Sequence, residues 1–231
     1  MPVIRGFKLS LDTGNLIQRQ GISEQSISSK QITKILNDLL ILVDQSHLIR
    51  PAIKYELYHI NNMTQDQIYL SNNQILPSKY FPVSFIAAEE IAIAIGTIGS
   101  SLENKVTELF NNNEQLRALL LDGIGNGAID SLIEEICRII TKEALLLNYK
   151  SSGPLGPGMS EIPIEAQSHL YKLAHAEEIN VHLTSRQEMS PRKSISIMIG
   201  IGSEVGTWTM ADICKQCNFH KTCHYKLQAT R

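Results

Sequence analysis

The sequence predicts an α+β fold, with an irregular α/β fold as the alternative. Apolar residues recur at three- and four-residue spacing in several segments, which is typical of amphipathic helices. Short runs of β-branched and aromatic residues, bounded by polar residues, indicate strands. The helices and strands do not alternate strictly, which argues against a regular series of βαβ units. With 231 residues, of which 43% are apolar, the chain is long enough for one large domain or two small ones.

The first third of the chain is predicted to contain three strands and one helix. Residues 3–11 read as a short strand. An amphipathic helix begins near Ser28 and ends before Pro51, because proline disfavours a helical conformation in the residue that precedes it. Residues 55–60 and 67–70 are β-prone runs separated by a polar stretch, and we expect neighbouring strands there.

The middle of the chain is predicted to be helical. Ser84 is placed to cap a helix over residues 84–98, and a second helix covers residues 101–110. Residues 121–127 read LDGIGNG and join an apolar run to a long helix over about residues 127–147. The glycine spacing does not match a dinucleotide-binding loop, so we expect a tight turn and close helix packing there.

The last third is predicted to hold a shaped loop, a helix and a buried strand. Residues 151–159 contain three glycines and two prolines, which is typical of an irregular loop. Helical spacing returns over residues 165–179, and residues 195–201 read as a buried strand. The residues expected in the core are Leu132, Ile136, Ile140, Ile195 and Ile197.

Composition and charge argue against several classes of function. The formal net charge is −2, which gives no electrostatic reason to expect nucleic acid or an anionic membrane as a partner. The longest apolar stretch, residues 85–98, is too short for a membrane span and contains two glutamates. No secretory signal is visible, so we expect a cytoplasmic protein. No nucleophile motif or histidine pairing stands out, and catalytic residues stay unassigned.

Three cysteines lie within ten residues near the C-terminus, at Cys214, Cys217 and Cys223. Such crowding in a reducing compartment favours metal ligation over disulfides, although free thiols are the alternative. Zinc could be held by these three thiolates with His220 or His224 as the fourth ligand. An iron–sulfur cluster would take its fourth ligand from Cys137 or from a partner. Cys137 has a second interpretation, as a packing residue on the long helix.

Three segments carry a resemblance to a known family. They are residues 121–135, residues 160–167 and the run LTSRQEMSPRKSIS over residues 183–196. This series resembles the activation domain of cobalamin-dependent methionine synthase, particularly the stand-alone versions from anaerobes. The resemblance implies one C-shaped domain on a twisted antiparallel sheet, which binds S-adenosylmethionine and presents it to a partner's corrinoid. It also implies a boundary between an activation-like domain, 1–203, and a cysteine-rich tail, 204–231.

The resemblance implies five candidate cofactor-binding residues, Gly156, Gly158, Met159, Glu161 and Ser194, of which Glu161 and Ser194 would substitute for contacts of the family that are missing here. The family's loop has the pattern Arg-x-x-x-Gly-Tyr, and here Pro154 and Met159 stand at the Arg and Tyr positions. We therefore expect weak or absent binding of S-adenosylmethionine. Residues 214–226, here called the cysteine segment, are similar to the ending Cys-x₂-Cys-x₅-Cys-x-Tyr-Lys of stand-alone relatives. Those relatives look equipped with a redox centre.

The resulting hypothesis is an accessory protein for the reductive reactivation of a corrinoid protein, with an iron–sulfur centre or, failing that, zinc. Two alternatives stay open. One is a non-catalytic binding module in which a structural zinc fixes the tail. The other is an S-adenosylmethionine-binding methyl-transfer domain that tolerates Met159 in place of the family's tyrosine.

Overall fold

The computed structural model describes residues 2–11, 13–19, 27–159 and 161–209, together with residues 212, 215 and 221. Its five helices are α1 (Thr13–Arg19), α2 (Ile27–Gln45), α3 (Ser101–Asn111), α4 (Gln115–Leu146) and α5 (Gln167–Leu173). Its nine strands are β1 (Val3–Arg5), β2 (Ala52–Met63), β3 (Gln67–Leu70), β4 (Ile75–Pro77), β5 (Glu90–Thr97), β6 (Lys150–Ser151), β7 (His182–Leu183), β8 (Met189–Ser190) and β9 (Ser194–Gly202). The predicted α+β class is confirmed.

The main sheet is antiparallel throughout, with the strand order β4-β3-β2-β5-β9-β6, and β1 pairs with the first part of β2. Strands β2, β5 and β9 form its centre. Ala94 of β5 lies opposite Tyr55 of β2 on one side and Ile197 of β9 on the other. A separate small sheet consists of β7 and β8.

Both faces of the central sheet are buried. Side chains alternate along a strand, so Ala92 and Ala94 of β5 face the core under α1 to α4. Ile91 and Ile93 face a second core on the opposite side, which is covered by α5 and by irregular segments. We call these the helix side and the loop side of the sheet. Every residue of β5 after its first is buried, because neither face meets water.

Helix α4 is the main packing element of the helix side. Leu132, Ile136 and Ile140 are fully buried along one stripe of α4, as predicted, and Ile197 is fully buried beneath the helix layer. Ile195 is only partly buried, because it lies at the start of its strand. At 32 residues α4 is long, yet no described helix is apolar enough to cross a membrane.

The glycine-rich segment of residues 121–127 is part of α4, so the predicted turn is wrong and the predicted close packing is correct. A Cβ atom on Gly125 would lie 2.9 Å from a methyl carbon of Leu102 in α3. A Cβ atom on Gly127 would lie 2.5 Å from a methyl carbon of Leu16 in α1. The glycines lower helix propensity but let two neighbouring helices approach α4 closely.

The predicted helix over residues 84–98 is wrong. A short 3-10 turn, Val83–Phe85, is followed by strand β5. A strand buried on both faces has no polar alternation, so its apolar run cannot be distinguished from a buried helix by periodicity. The predicted helix over residues 165–179 is also interrupted, because His175 adopts a φ of +54° between α5 and a 3-10 turn.

Candidate functional site

The Gly/Pro-rich segment of residues 153–159, here called the glycine loop, runs along the outer edge of β9. Just before the loop, the Ser152 N–H donates to the Gly200 carbonyl at 2.8 Å. Within it, Leu155 and Met198 exchange two backbone hydrogen bonds of 2.9 and 2.7 Å. The irregular loop predicted from sequence is therefore hydrogen-bonded to the outer edge of β9. It lies on the part of that edge that β6 does not cover.

Two glycines fix the shape of this loop. A Cβ atom on Gly156 would lie 2.6 Å from the backbone oxygen of Ser196 in β9, so no larger residue fits without moving the strand edge. Gly158 has a φ of +88°, a conformation that other residues rarely adopt. Both positions therefore require glycine, for two different reasons.

Met159 and Glu161 make contacts that close the loop on itself and on its neighbour. The Gly156 N–H donates to the Met159 sulfur at 3.3 Å. Glu161 is exposed, and its Oε2 accepts a hydrogen bond of 3.0 Å from the Ser84 N–H in the 3-10 turn. These two side chains hold the loop together and attach it to the turn.

Ser194 lies two residues before Ser196 on β9. Its hydroxyl lies 2.7 Å from the Pro191 carbonyl and 2.9 Å from the Thr97 hydroxyl. Four of the five predicted cofactor-binding residues therefore cluster at the glycine loop. Ser194 lies farther along the strand, where its hydroxyl ties β9 to β5.

Gln167, at the start of α5, has a buried amide that was not among the predicted site residues. It is 6% exposed, and its Oε1 accepts a 3.0 Å hydrogen bond from the Ser196 hydroxyl. Its Nε2 has no hydrogen-bond partner among the described residues, and the same is true of the buried Ser84 hydroxyl. Leaving a buried donor unpaired costs about 1–3 kcal/mol of folding stability. Among the described residues, Gln167 Nε2 is such a donor, and it lies on the loop side of the sheet.

Trp208 is the second feature missed at the sequence level. It is partly buried and stacks on the buried ring of Phe85, with 5.9 Å between ring centroids and an interplanar angle of 27°. It also packs directly on Gly153, at the start of the glycine loop. No local pattern connects residues 85, 153 and 208, since they meet only through the fold.

Cys137 lies on α4, partly buried against the helix-side core. Burial raises the pKa of its thiol to about 12, and the nearby Glu134 carboxylate acts in the same direction. Metal ligation uses the thiolate, which this environment disfavours. The loop-side core that contains Trp208 lies on the other face of the sheet.

The other three proposed metal ligands, Cys214, Cys217 and Cys223, lie outside the described residues. Within the described part of the chain, no group of three His, Cys, Asp or Glu side chains is arranged to hold a metal ion. The metal site therefore stays a prediction from cysteine spacing.

No protein-family model and no curated protein matches the sequence. The crystal structure of the MetH reactivation domain bound to AdoHcy, in contrast, superimposes on this chain with a TM-score of 0.68. The match covers 94% of this chain and 84% of that one. The two chains share a fold. Because sequence identity is 12%, the likeness concerns the architecture, and it confirms the family resemblance at that level only.

The side chains of the glycine loop differ from those that the family resemblance leads one to expect. Gly156 lets the loop pack closely on the edge of β9, and Gln167 Nε2 has no hydrogen-bond partner in the part of the chain that the structure describes. Pro154, at the position of the family's arginine, is buried and offers no charge, and the Met159 sulfur already accepts a bond from the loop. Pro154 and Met159 therefore supply neither the positive charge of the family's arginine nor the aromatic hydroxyl of its tyrosine.

Proposed function

We propose that this chain is an accessory protein for the reductive reactivation of a corrinoid protein. The observation that carries the proposal is the shared fold with the MetH reactivation domain over 94% of the chain. The three cysteines of residues 214–223 would hold the electron carrier, a role that the glycine loop does not provide. In this proposal the domain docks a corrinoid-bearing partner, and the segment supplies the reducing centre.

An iron–sulfur cluster held by this chain would supply one-electron chemistry to a partner's oxidised cobalt centre. Each electron gained by the cobalt would be one lost by the cluster, and a low-potential one-electron donor would be needed to reduce the cluster again. Cys214, Cys217 and Cys223 would ligate the cluster through their thiolates. The protein contributes ligation and position, while the chemistry belongs to the metal centres.

The fourth ligand is proposed to come from outside the helix layer. Cys137 is a poor candidate, because its thiol is packed into the core on α4 and is held protonated. His220 and His224 lie in the cysteine segment, and a ligand from the partner is the remaining source. Lys221 and Lys226 add positive charge near the thiols, which favours thiolates and offsets the charge of a cluster.

An anaerobic electron-transfer assay tests this function. The cluster-loaded protein is reduced with titanium(III) citrate, freed of excess reductant and mixed with oxidised cobalamin, and the cobalt absorption bands are followed. We expect one cobalamin reduced per cluster with the wild-type protein and with Cys137→Ser, but none with Cys217→Ser. Reduced, cluster-loaded protein that leaves the cobalamin spectrum unchanged would contradict the proposal.

Binding of an adenosyl ligand is a second candidate function. It is favoured by Gln167 Nε2, which has no hydrogen-bond partner among the described residues, and by the shared fold with a domain whose crystal structure contains AdoHcy. We expect this binding to be weak, since Pro154 and Met159 replace the family's charged and aromatic contacts. Calorimetric titration of S-adenosylmethionine into wild-type protein and Gln167→Leu checks it. Micromolar binding that is lost in Gln167→Leu would favour the methyl-transfer alternative.

A further inference from the structure

Helices α3 and α4 form a hairpin whose surface carries a groove of about 1070 Å³. On α3 the groove is lined by Glu103 and Phe110, which lie two turns apart on one helix face, and on α4 by Leu119 and Asn126. Arg192, just before β9, lies at the Glu103 end, because its backbone N–H donates to the Glu103 carboxylate at 2.9 Å. The groove therefore follows the hairpin from the turn between the helices toward the start of β9.

An apolar patch lies at the turn end of this groove. It consists of Phe110, Leu116 and Leu119, which are 41%, 50% and 61% exposed. Leu116 and Leu119 are three residues apart on α4 and share a face, while Phe110 and Leu119 both line the groove. Large apolar side chains that are grouped on a surface beside a groove are typical of a protein–protein contact.

The two ends of the hairpin differ in charge. At the far end of the groove Arg192 is exposed, and its guanidinium group has no hydrogen-bond or ion-pair partner among the described residues. The neighbouring Lys193, in contrast, is paired with Asp122. At the turn end, Glu114 supplies a carboxylate that lies 2.7 Å from Arg117. A surface of this kind has a carboxylate at one end and an unpaired cation at the other.

Helix geometry places these two ends at similar distances from Leu119. An α-helix rises about 1.5 Å per residue, so Glu114 lies about 7–8 Å from Leu119 along α4. Asn126, which binds the residue after Arg192, lies about 10 Å from Leu119 in the opposite direction. A two-fold axis near Leu119 would therefore bring Glu114 of one copy close to Arg192 of the other.

We propose that the α3–α4 hairpin is the contact surface of a homodimer, in which the apolar patch of each copy packs into the groove of the other. A two-fold contact pairs a surface with itself, so it requires a ridge and a groove on the same surface, and this hairpin has both. The formal net charge of −2 lets two copies approach with little repulsion. The hairpin lies on the helix side of the sheet, so the glycine loop of each copy stays uncovered on the loop side.

Sedimentation velocity tests the dimer. We expect the wild-type protein to dimerise with a dissociation constant on the order of 10 μM, because the patch is smaller than the interface of a permanent dimer. Leu119→Glu should raise the dissociation constant at least about tenfold, since it brings a charge into the contact. Leu146→Glu is the matched control, because Leu146 is 72% exposed near the other end of α4, and it should dimerise like the wild type.

Three outcomes of this measurement would overturn the proposal. They are a wild type that is monomeric at about 100 μM, which would assign the hairpin to a different partner, a Leu119→Glu protein that dimerises like the wild type, and a Leu146→Glu protein that dissociates instead. Far-ultraviolet circular dichroism checks that both variants are folded. Both substituted side chains are exposed, so we expect unchanged spectra.

A charge exchange tests how the two copies are arranged. Arg192→Glu should raise the dissociation constant about tenfold at low salt, because it would place two carboxylates together, and adding Glu114→Arg should restore it. Arg138→Glu is the control, since Arg138 is an exposed arginine of α4 that pairs with Glu135 and does not line the groove. An unaffected Arg192→Glu protein, or a double variant that dimerises no better than Arg192→Glu, would overturn the proposed two-fold arrangement.

Discussion

Lys193 forms an ion pair with Asp122, with 2.8 Å between Nζ and Oδ1. Its ammonium group also donates to the Asn126 side-chain oxygen at 2.6 Å. Lys193 immediately precedes β9, whereas Asp122 and Asn126 lie in the glycine-rich part of α4. The contact therefore joins two of the three sequence segments that carry the family resemblance, and it fixes the start of β9 against the helix layer.

Loss of the Lys193 ammonium should lower the free energy of unfolding by about 1 kcal/mol in Lys193→Met, since Lys193 is only 13% exposed and pairs with two groups. Lys105→Met is the matched control, because Lys105 forms an i,i+3 surface pair with the exposed Glu108. We expect its effect to stay below about 0.5 kcal/mol. Urea denaturation followed by circular dichroism measures both, and equal effects would contradict the role given to Lys193.

A methyl group on Gly156 should destabilise the fold by about 1–3 kcal/mol, because the 2.6 Å approach is to a backbone oxygen of β9, which cannot rotate away. Gly206→Ala is the control, since its Cβ would have only ordinary contacts at 3.7 Å and beyond. Its unfolding midpoint in urea should match that of the wild type. A Gly156→Ala protein as stable as this control would show that the loop does not sit against β9.

Gly153→Ala should displace Trp208, because the new methyl group would overlap both the indole and the backbone of that residue. With one tryptophan in the chain, its fluorescence reports on this site alone. We expect a red-shifted emission and stronger quenching by iodide than in the wild type or in Gly206→Ala. An unchanged spectrum would be inconsistent with the contact between Trp208 and the glycine loop.

Cys137 should resist alkylation in the folded protein, because burial raises the pKa of its thiol to about 12. The variant Cys214→Ser/Cys217→Ser/Cys223→Ser retains Cys137 as its single thiol. At pH 8 we expect it to react with iodoacetamide only after unfolding in guanidinium. Rapid reaction without denaturant would show that the helix-side core is open at this position.

The same thiol makes stability depend on alkaline pH. An unfolded chain loses the Cys137 proton near the ordinary pKa of 9.0, whereas the folded chain keeps it up to about 12. The contribution of the protonated Cys137 thiol to the free energy of unfolding is complete below pH 9, and it is lost as the pH rises toward 12. Against a Cys137→Ala variant, the triple-serine variant should therefore lose more unfolding free energy between pH 8 and pH 10.5.

Sequence patterns predicted the amphipathic elements well and the doubly buried ones poorly. Helix α3 and the stripe of α4 have one face toward solvent, so their apolar spacing carries the signal. Strand β5 has no such face, so the periodicity of its isoleucines and alanines predicts a helix as readily as a strand. The glycine loop was visible in the composition of residues 151–159, because irregular backbone requires glycine and proline.

The rest of the candidate site depends on tertiary contacts. Trp208 reaches the loop across 55 residues of sequence, and Gln167 is recognisable only through its buried amide next to Ser196. Neither position belongs to a periodic or spaced motif. Cysteine spacing, in contrast, predicts a metal site from local sequence alone, and the redox part of the proposed function rests on that site.

The metal content of the anaerobically purified wild-type protein is the most direct test of the redox account. Iron, acid-labile sulfide and zinc are quantified per chain in the wild-type protein. The same three quantities are measured in Cys217→Ser. The account predicts iron and sulfide in comparable amounts in the wild type, visible colour, and loss of both in the variant with unchanged far-ultraviolet circular dichroism. Zinc alone would support the structural-zinc alternative. Neither metal, with all four thiols free to titrate after unfolding, would contradict the redox function.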